Sequence, residues 1–272
     1  MTTGDLRGNG ATLRYEVRGD GPLLLLIPGG TGGAASFDGV VDGLAADHTV
    51  ATYDPRGLSR SPLADPEDEQ RVAEHAEDAV RLLDLLSPGA PARVFGASSG
   101  AITALHLLTA RPDRVDRVVA HEPPLVEVLP DAADHRALIA RVTATLQAQG
   151  LVAAMAVFAA GLANPTAPEA ESELPPRAAA RVERTAGDLP YFLGRIVPAF
   201  MSSVPDLGGL TALADRLVIG LGEDSTGELP HRAASCLAER LGVEPRSFPG
   251  GHLGLSTHPV EFGERLREAL HV

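Results

Sequence analysis

The stretch that most constrains this chain is Gly96-Ala97-Ser98-Ser99-Gly100. An apolar run typical of a strand, with Val94 and Phe95, ends at Gly96, and a helix-forming run begins after Gly100. A Gly-x-Ser-x-Gly spacing between strand and helix is typical of a nucleophile elbow, a sharp turn that strains the serine backbone and exposes its hydroxyl above the sheet. The pattern is short, so its meaning depends on the elements around it and on a partner acid and histidine elsewhere.

Strands and helices alternate on both sides of this turn. The run Leu23–Ile27 is continuously apolar, as expected for a strand buried on both faces. Residues 5–18, around Gly8-Asn9-Gly10, are typical of a hairpin. Further predicted strands, at 49–53, 115–120, 216–222 and 245–248, alternate with predicted helices at 69–86, 230–241 and 259–270. This alternation predicts a mostly parallel sheet flanked by helices.

The strand pattern stops between about residues 125 and 210. Segments 131–149, 151–163, 176–186 and 188–203 all favour helices. We therefore predict a helical cap over 125–210, inserted into an α/β core formed by 1–124 and 211–272. Its larger apolar side chains could line a pocket or pack against the sheet: Met155, Phe158, Leu162, Tyr191, Phe192, Ile196, Phe200 and Met201.

Composition excludes several classes of function. The net charge of −13 and the isoelectric point of about 5.1 argue against a basic face for nucleic acid. The single cysteine, Cys236, cannot form an intrachain disulfide and is expected to be a small core residue. The chain starts without a signal-peptide pattern, and its apolar runs stay below the ~18 residues of a membrane span. We expect a cytoplasmic protein that binds neither membranes nor nucleic acid.

The strand at 23–27 ends in the glycine-rich turn Pro28-Gly29-Gly30-Thr31-Gly32-Gly33. Such a turn could bind phosphate, but its spacing is not that of a P-loop and it lacks the lysine of that motif. In an acyl-transfer enzyme the same turn presents a backbone N–H to an oxyanion. Because a nucleophile elbow is predicted downstream, we favour this second interpretation.

Five features together resemble the α/β-hydrolase superfamily over almost the whole length of the chain. They are the glycine turn at 28–33, the run Tyr53-Asp54-x-Arg56-Gly57-x-Ser59-x-Ser61, the elbow at 96–100, the acidic turn at 222–225 and Gly251-His252. Their order of serine, acid and histidine is the order of that superfamily. The resemblance implies an α/β-hydrolase fold, with a mostly parallel eight-stranded sheet, flanking helices and an inserted helical cap. It implies no metal and no organic cofactor.

Ser98 is the predicted nucleophile, and His252 is the base expected to take its proton. Two other histidines compete for that role: His258, which lies at the start of a predicted helix, and His121, which follows a predicted strand. The Gly-Gly-His-Leu-Gly turn around His252 gives its imidazole the freedom to reach over the sheet edge.

Two carboxylates could complete the triad. Asp224 follows the penultimate strand, where the superfamily most often has its acid, although the usual position in that turn is one residue later, at Ser225. Glu122 ends the strand after the elbow helix, where haloalkane dehalogenases and some lipases carry the acid. We keep both as candidates, with Glu122 preferred.

The resemblance also implies an oxyanion hole and bracing residues. The backbone N–H groups of Ser99 and of the glycine turn, at Gly29 and Gly30, are the predicted oxyanion donors. Asp54 and Arg56 are expected to brace loops near the site rather than to take part in the chemistry.

These residues predict a hydrolase that cleaves a carboxylic ester, lactone or thioester through an acyl-enzyme intermediate. The expected partner is a small-molecule, apolar acyl substrate, whose acyl or leaving group is mid-sized. Fold alone does not determine the reaction. The alternatives are a cofactor-free perhydrolase or haloperoxidase, a cyclase of secondary metabolites, and a non-catalytic protein that binds a small molecule. An aspartate-nucleophile enzyme is disfavoured because a serine occupies the elbow.

Overall fold

A computed structural model of the chain describes residues 1–164 and 175–271. Its strands are β1 Thr2–Gly8, β2 Ala11–Arg18, β3 Leu23–Ile27, β4 Thr49–Tyr53, β5 Ala92–Ala97, β6 Val115–His121, β7 Leu217–Gly222 and β8 Arg246–Phe248. They form one sheet in the order β1-β2-β4-β3-β5-β6-β7-β8. The pairs β1–β2 and β2–β4 are antiparallel, and every pair from β4 to β8 is parallel. The predicted α/β-hydrolase fold is confirmed.

The helices are α1 Val41–Leu44, α2 Val72–Leu86, α3 Ser99–Ala110, α4 Ala132–Gln149, α5 Leu151–Leu162, α6 Pro176–Thr185, α7 Leu189–Tyr191, α8 Val197–Met201, α9 Leu207–Ala212, α10 Leu229–Leu241, α11 Gly254–Thr257 and α12 Pro259–Leu270. Short 3₁₀ turns lie at Ala34–Phe37, Pro112–Arg114, Val126–Val128, Ala186–Asp188 and Ala214–Arg216, and Phe192–Ile196 forms a π-helix. Within the described residues, no helix combines the length and apolar character needed to cross a membrane.

The sheet is buried between two layers of helices because alternate strand residues face opposite sides. In β3, Leu23, Leu25 and Ile27 belong to the core on the side of α2, α3 and α10. Leu24 and Leu26 belong to the core on the side of α1 and α12. All five residues of β3 are buried, as the continuous apolar run predicts.

The hairpin of β1 and β2 closes with a two-residue turn. Gly8 pairs with Ala11, and both Asn9 and Gly10 have positive φ, at 52° and 74°. This is the conformation that asparagine and glycine favour in a tight hairpin turn.

Helices α4 to α8 and the π-helix occupy the connection between β6 and the helices that precede β7. The segments predicted as helical there correspond to observed helices, while residues 165–174 of the predicted cap lie outside the described residues. The domain boundaries at 125 and 210 stay a prediction. We refer to α4–α8 with the π-helix as the connecting helices.

Candidate active site

The predicted site residues lie at the carboxyl edge of the parallel sheet, where ligands bind in open α/β folds. Ser98 directly follows β5, Glu122 directly follows β6, and His252 lies in the loop after β8. Side chains that are far apart in sequence meet there because neighbouring parallel strands end at the same edge.

The turn at Ser98 has the strained geometry that its sequence predicts. Ser98 has φ 54° and ψ −121°, and its backbone N–H donates to the His121 carbonyl at 2.9 Å. A Cβ at position 96 would lie 2.7 Å from Ala101 Cα, so the strand can turn this tightly into α3 only with glycine at that position. Positive φ in a residue other than glycine is costly and is concentrated at functional sites.

Ser98, His252 and Glu122 form one chain of hydrogen bonds. The distance from Ser98 Oγ to His252 Nε2 is 3.1 Å, and the distance from His252 Nδ1 to Glu122 Oε2 is 2.7 Å. An ionised carboxylate can only accept, so Nδ1 carries the proton and the Nε2 lone pair of the neutral imidazole accepts from the Ser98 hydroxyl. The arrangement can remove a proton from Ser98.

Glu122 is fully buried and is held by donors on both carboxylate oxygens. Its Oε1 accepts from the Gly222 N–H at 2.9 Å and from the Ser225 hydroxyl, while Oε2 accepts from His252. Burial raises the pKa of Glu122, but the His252 hydrogen bond, attraction to His121 and His252, and the Ser225 hydrogen bond lower that pKa to about 2. The carboxylate is therefore ionised near neutral pH.

The structure does not bring Asp224 to His252. The Asp224 side chain is exposed, and its backbone N–H donates to the Gly250 carbonyl at 3.1 Å. Ser225, at the usual acid position of this turn, is fully buried and donates to Glu122. The sequence analysis did not predict the contact between Ser225 and Glu122. The signal for it was that Ser225, not Asp224, stands at the usual acid position of this turn.

The two competing histidines lie elsewhere. His258 is exposed and contacts Thr257 Oγ1 at 2.9 Å. His121 is buried against Phe248 and Phe262, and burial lowers its pKa to about 4. The charge of Glu122 raises this pKa by less than burial lowers it, and the charge of His252 lowers it further. Among the described residues, the Ser98 hydroxyl is hydrogen bonded to the imidazole of His252 and to neither His258 nor His121.

Glu228 is a second carboxylate near the site that the sequence did not indicate. It is half-buried, and burial raises its pKa, with smaller contributions from the charges of His252 and Glu122. It precedes α10, whose Pro230 lines the cavity beside Ser98.

The glycine turn packs directly on the elbow. A Cβ at position 29 would lie 2.8 Å from Ser98 Cβ, so a larger residue there would displace one of the two turns. The Gly30 N–H donates to Ser99 Oγ at 3.1 Å. The Ser99 N–H lies in the first turn of α3, where backbone N–H groups have no acceptor within the helix.

A cavity of about 20 Å³ lies beside Ser98 and His252. Its apolar wall comes mostly from the connecting helices: Phe158, Leu162, Phe192, Ile196, Val197, Phe200 and Met201, with Pro124 from the loop after β6 and Pro230 from α10. Six of the eight apolar residues named from the sequence are in this wall. Met155 and Tyr191 are partly buried and pack against the main core instead.

Asp54 and Arg56 brace the loop after β4. Asp54 Oδ1 accepts from the Ala34 N–H at 2.8 Å, and Asp54 Oδ2 accepts from Arg60 Nε at 2.6 Å. Arg56 binds Asp78 of α2 through two nitrogens, at 2.7 and 2.8 Å. In the described residues, no group of three or more His, Cys, Asp or Glu side chains is placed to hold a metal ion.

The sequence profile of the family described as "alpha/beta hydrolase fold" matches residues 22–158, half of the chain. The chain belongs to the α/β-hydrolase family. This α/β-hydrolase is 33% identical over 287 residues to a protein named "Uncharacterized hydrolase YraK" of Bacillus subtilis (strain 168), covering 99% of this chain and 96% of that one. The resemblance inferred from the motifs is confirmed, and the chain is a hydrolase of this fold family.

The chain is also similar to a named enzyme in sequence and to a solved structure in fold. The α/β-hydrolase is 38% identical over 122 residues to a zearalenone hydrolase of Bionectria ochroleuca, covering 43% of this chain and 45% of that one. The solved structure of a thermophilic esterase from Thermogutta terrifontis has a TM-score of 0.78 at 16% identity, covering 100% of this chain and 98% of that one. At 16% identity, the likeness to the esterase shows only that the two chains share a fold.

Proposed function

We propose that this α/β-hydrolase cleaves a carboxylic ester, lactone or thioester, with Ser98 as nucleophile, His252 as general base and acid, and Glu122 as the acid of the triad. The observation that carries the proposal is the hydrogen-bonded chain from Ser98 Oγ through both nitrogens of His252 to Glu122, at 3.1 and 2.7 Å. The relative named zearalenone hydrolase supports a hydrolytic reaction.

The reaction follows from this geometry in two steps. His252 Nε2 takes the Ser98 proton while Ser98 Oγ attacks the carbonyl carbon, and the imidazolium then gives that proton to the leaving oxygen or sulfur. In the second step, His252 takes a proton from water, whose oxygen attacks the acyl carbon. The imidazolium then returns the proton to Ser98 Oγ as the bond between Ser98 Oγ and the acyl carbon breaks, and the carboxylic acid leaves. Glu122 holds the imidazole in the required tautomer and stabilises its positive charge.

The wall of the cavity favours an apolar substrate. Phe158, Phe192 and Phe200 present aromatic surface beside Ser98, and His252 and the serines supply its polar groups. Pockets of this kind orient a ligand with few polar groups and bind it through apolar contact. We therefore propose a substrate whose acyl group is largely apolar.

The first experiment is intact-mass analysis after treatment with a fluorophosphonate, combined with hydrolysis of p-nitrophenyl esters. We expect one adduct on the wild-type protein, no adduct on Ser98→Ala, and strongly slowed labelling of His252→Ala, because the serine is a weak nucleophile without its base.

Matched controls are Ser247→Ala and His258→Ala, which change exposed residues outside the hydrogen-bonded chain. Both should be labelled at the wild-type rate. A folded wild-type protein that takes up no adduct and hydrolyses no ester, lactone or thioester would reject the proposal and favour the binding-protein alternative.

A further inference from the structure

The side chain of Ser99 occupies an unexpected place in the site. The sequence assigned the backbone N–H groups of Gly30 and Ser99 to the oxyanion. In the structure, the Gly30 N–H already donates to Ser99 Oγ at 3.1 Å. The hydroxyl therefore lies between the glycine turn and the elbow, next to the nucleophile in sequence.

Ser99 lines two cavities. It lines the cavity of about 20 Å³ together with Ser98 and His252. It also lines a second cavity of about 10 Å³, together with Gly30 and Tyr53. The side chain is half-buried, so it lies at the boundary of the reaction space rather than in the core.

The Ser99 hydroxyl can donate a hydrogen bond. Its oxygen accepts from Gly30, and across residues 1–164 and 175–271 its O–H proton has no acceptor. A hydroxyl that accepts a hydrogen bond becomes polarised and donates more strongly. A neutral donor held in place before the reaction stabilises the negative charge that develops on a carbonyl oxygen.

We propose that the Ser99 hydroxyl is a donor of the oxyanion hole, acting together with the Ser99 backbone N–H, and that the Gly30 N–H polarises it. When Ser98 Oγ bonds to the carbonyl carbon, the π electron pair moves onto the carbonyl oxygen, which accepts from both Ser99 groups. The pair returns when the leaving group departs, and the Ser99 proton is not transferred. This inference rests on the proposed serine-hydrolase function.

The test compares Ser99→Ala and Ser99→Thr with the wild type in p-nitrophenyl ester hydrolysis. We expect Ser99→Ala to lower kcat about tenfold or more with little change in KM, because the lost interaction exists mainly in the transition state. Ser99→Thr, which keeps the hydroxyl, should recover most of the loss. Ser99→Cys, of similar size but a weak donor, should resemble Ser99→Ala and serves if the alanine variant does not fold.

A second measurement separates this role from a structural one. A boronic acid forms a tetrahedral adduct with an activated serine, and its affinity should fall in Ser99→Ala in parallel with kcat, while affinity for the product carboxylate should not. If Ser99→Ala keeps or exceeds the wild-type kcat, the hydroxyl only fills the site and the inference is wrong. If the wild type takes up no fluorophosphonate on Ser98, the proposed function and this inference both fail.

Discussion

At the scale of single residues, two strained backbones lie on either side of the hydrogen bonds to His252. Ser98 and Glu122 are both non-glycine residues with positive φ, at 54° and 46°. Each directly follows a central parallel strand, and each backbone N–H is fixed to a neighbouring strand end, at the carbonyls of His121 and Gly220. In these conformations both side chains contact His252. The hydrogen bonds to the neighbouring strands hold the strained backbone in place.

Glu122→Gln should lower kcat by about two to four orders of magnitude, because the amide does not stabilise the imidazolium or fix its tautomer as the carboxylate does. The matched control is Asp224→Asn, which removes the other carboxylate named from the sequence and should leave kcat unchanged. Ester hydrolysis under saturating substrate measures both. A large loss in Asp224→Asn with an active Glu122→Gln would assign the acid to Asp224.

The sequence could name both acids but could not choose between them. The choice depends on the left-handed turn at Glu122, which carries its carboxylate to His252 Nδ1, and on Ser225, whose hydroxyl occupies the other acid position. Neither a backbone φ nor a contact across 103 residues is visible in local residue patterns. Ser98 and His252 could be named as candidates because each belongs to a short motif after a strand, and the structure places their side chains within hydrogen-bond distance.

At the scale of elements, long periodic segments were predictable and short ones were not. The helix predicted at 69–86 is α2, Val72–Leu86, and that at 259–270 is α12, Pro259–Leu270. Helix α2 begins late because Arg71 is extended. Helices α1 and α11 have four residues each, too few to show a helical period in the sequence.

The loop after β4 is tied to α2 by a buried ion pair, Arg56–Asp78, whose side chains are 5% and 1% exposed. Asp78→Ala should lower the free energy of unfolding by about 3–5 kcal/mol, because it removes the two shortest ionic contacts of the buried Arg56 charge and leaves, among the described residues, only Glu74, at 3.5 Å, as its counter-ion. The double variant Arg56→Leu/Asp78→Leu should lose less unfolding free energy than the sum of the losses in Arg56→Leu and Asp78→Leu. Urea denaturation measures all of them, and additive losses would contradict a coupled pair.

At the scale of the whole molecule, buried histidines make stability depend on pH. Burial, with a smaller contribution from Arg56, lowers the pKa of His75 to about 3 from its ordinary value of 6.5. Between these values the unfolded chain binds a proton that the native chain does not, so stability falls as pH falls below about 6.5.

His75→Gln should therefore reduce the loss of unfolding free energy between pH 7 and pH 5 by about 2 kcal/mol relative to wild type. The comparison is between slopes, so any destabilisation from losing the 3.0 Å contact with Gln70 at both pH values cancels. His258→Gln, which removes an exposed histidine, should keep the wild-type slope. Equal slopes in wild type and His75→Gln would show that His75 has the same pKa in the native and unfolded states, so that burial does not lower it.

Access to Ser98 also depends on the whole molecule. The cavity beside Ser98 has room for about one water molecule, far less than an acyl group needs. The connecting helices that cover it are held to the loop after β4 by a hydrogen bond from the Ser59 N–H to Asp188, at 2.9 Å, and by an Arg195–Glu67 ion pair, at 2.7 Å. We therefore expect these helices to move away from that loop when substrate enters.

A disulfide across this contact should stop the movement. In a Cys236→Ser background, the pair Ser59→Cys/Asp188→Cys, once oxidised, should lose most of its kcat/KM for esters and regain it after reduction, because the closed cavity is too small for an acyl group. Each single cysteine variant, treated in the same way, controls for loss of the native hydrogen bond and should not respond to reductant. Intact mass confirms that the bond has formed. A fully oxidised variant that hydrolyses esters at the reduced rate would mean that substrate reaches Ser98 by a route that leaves this contact closed.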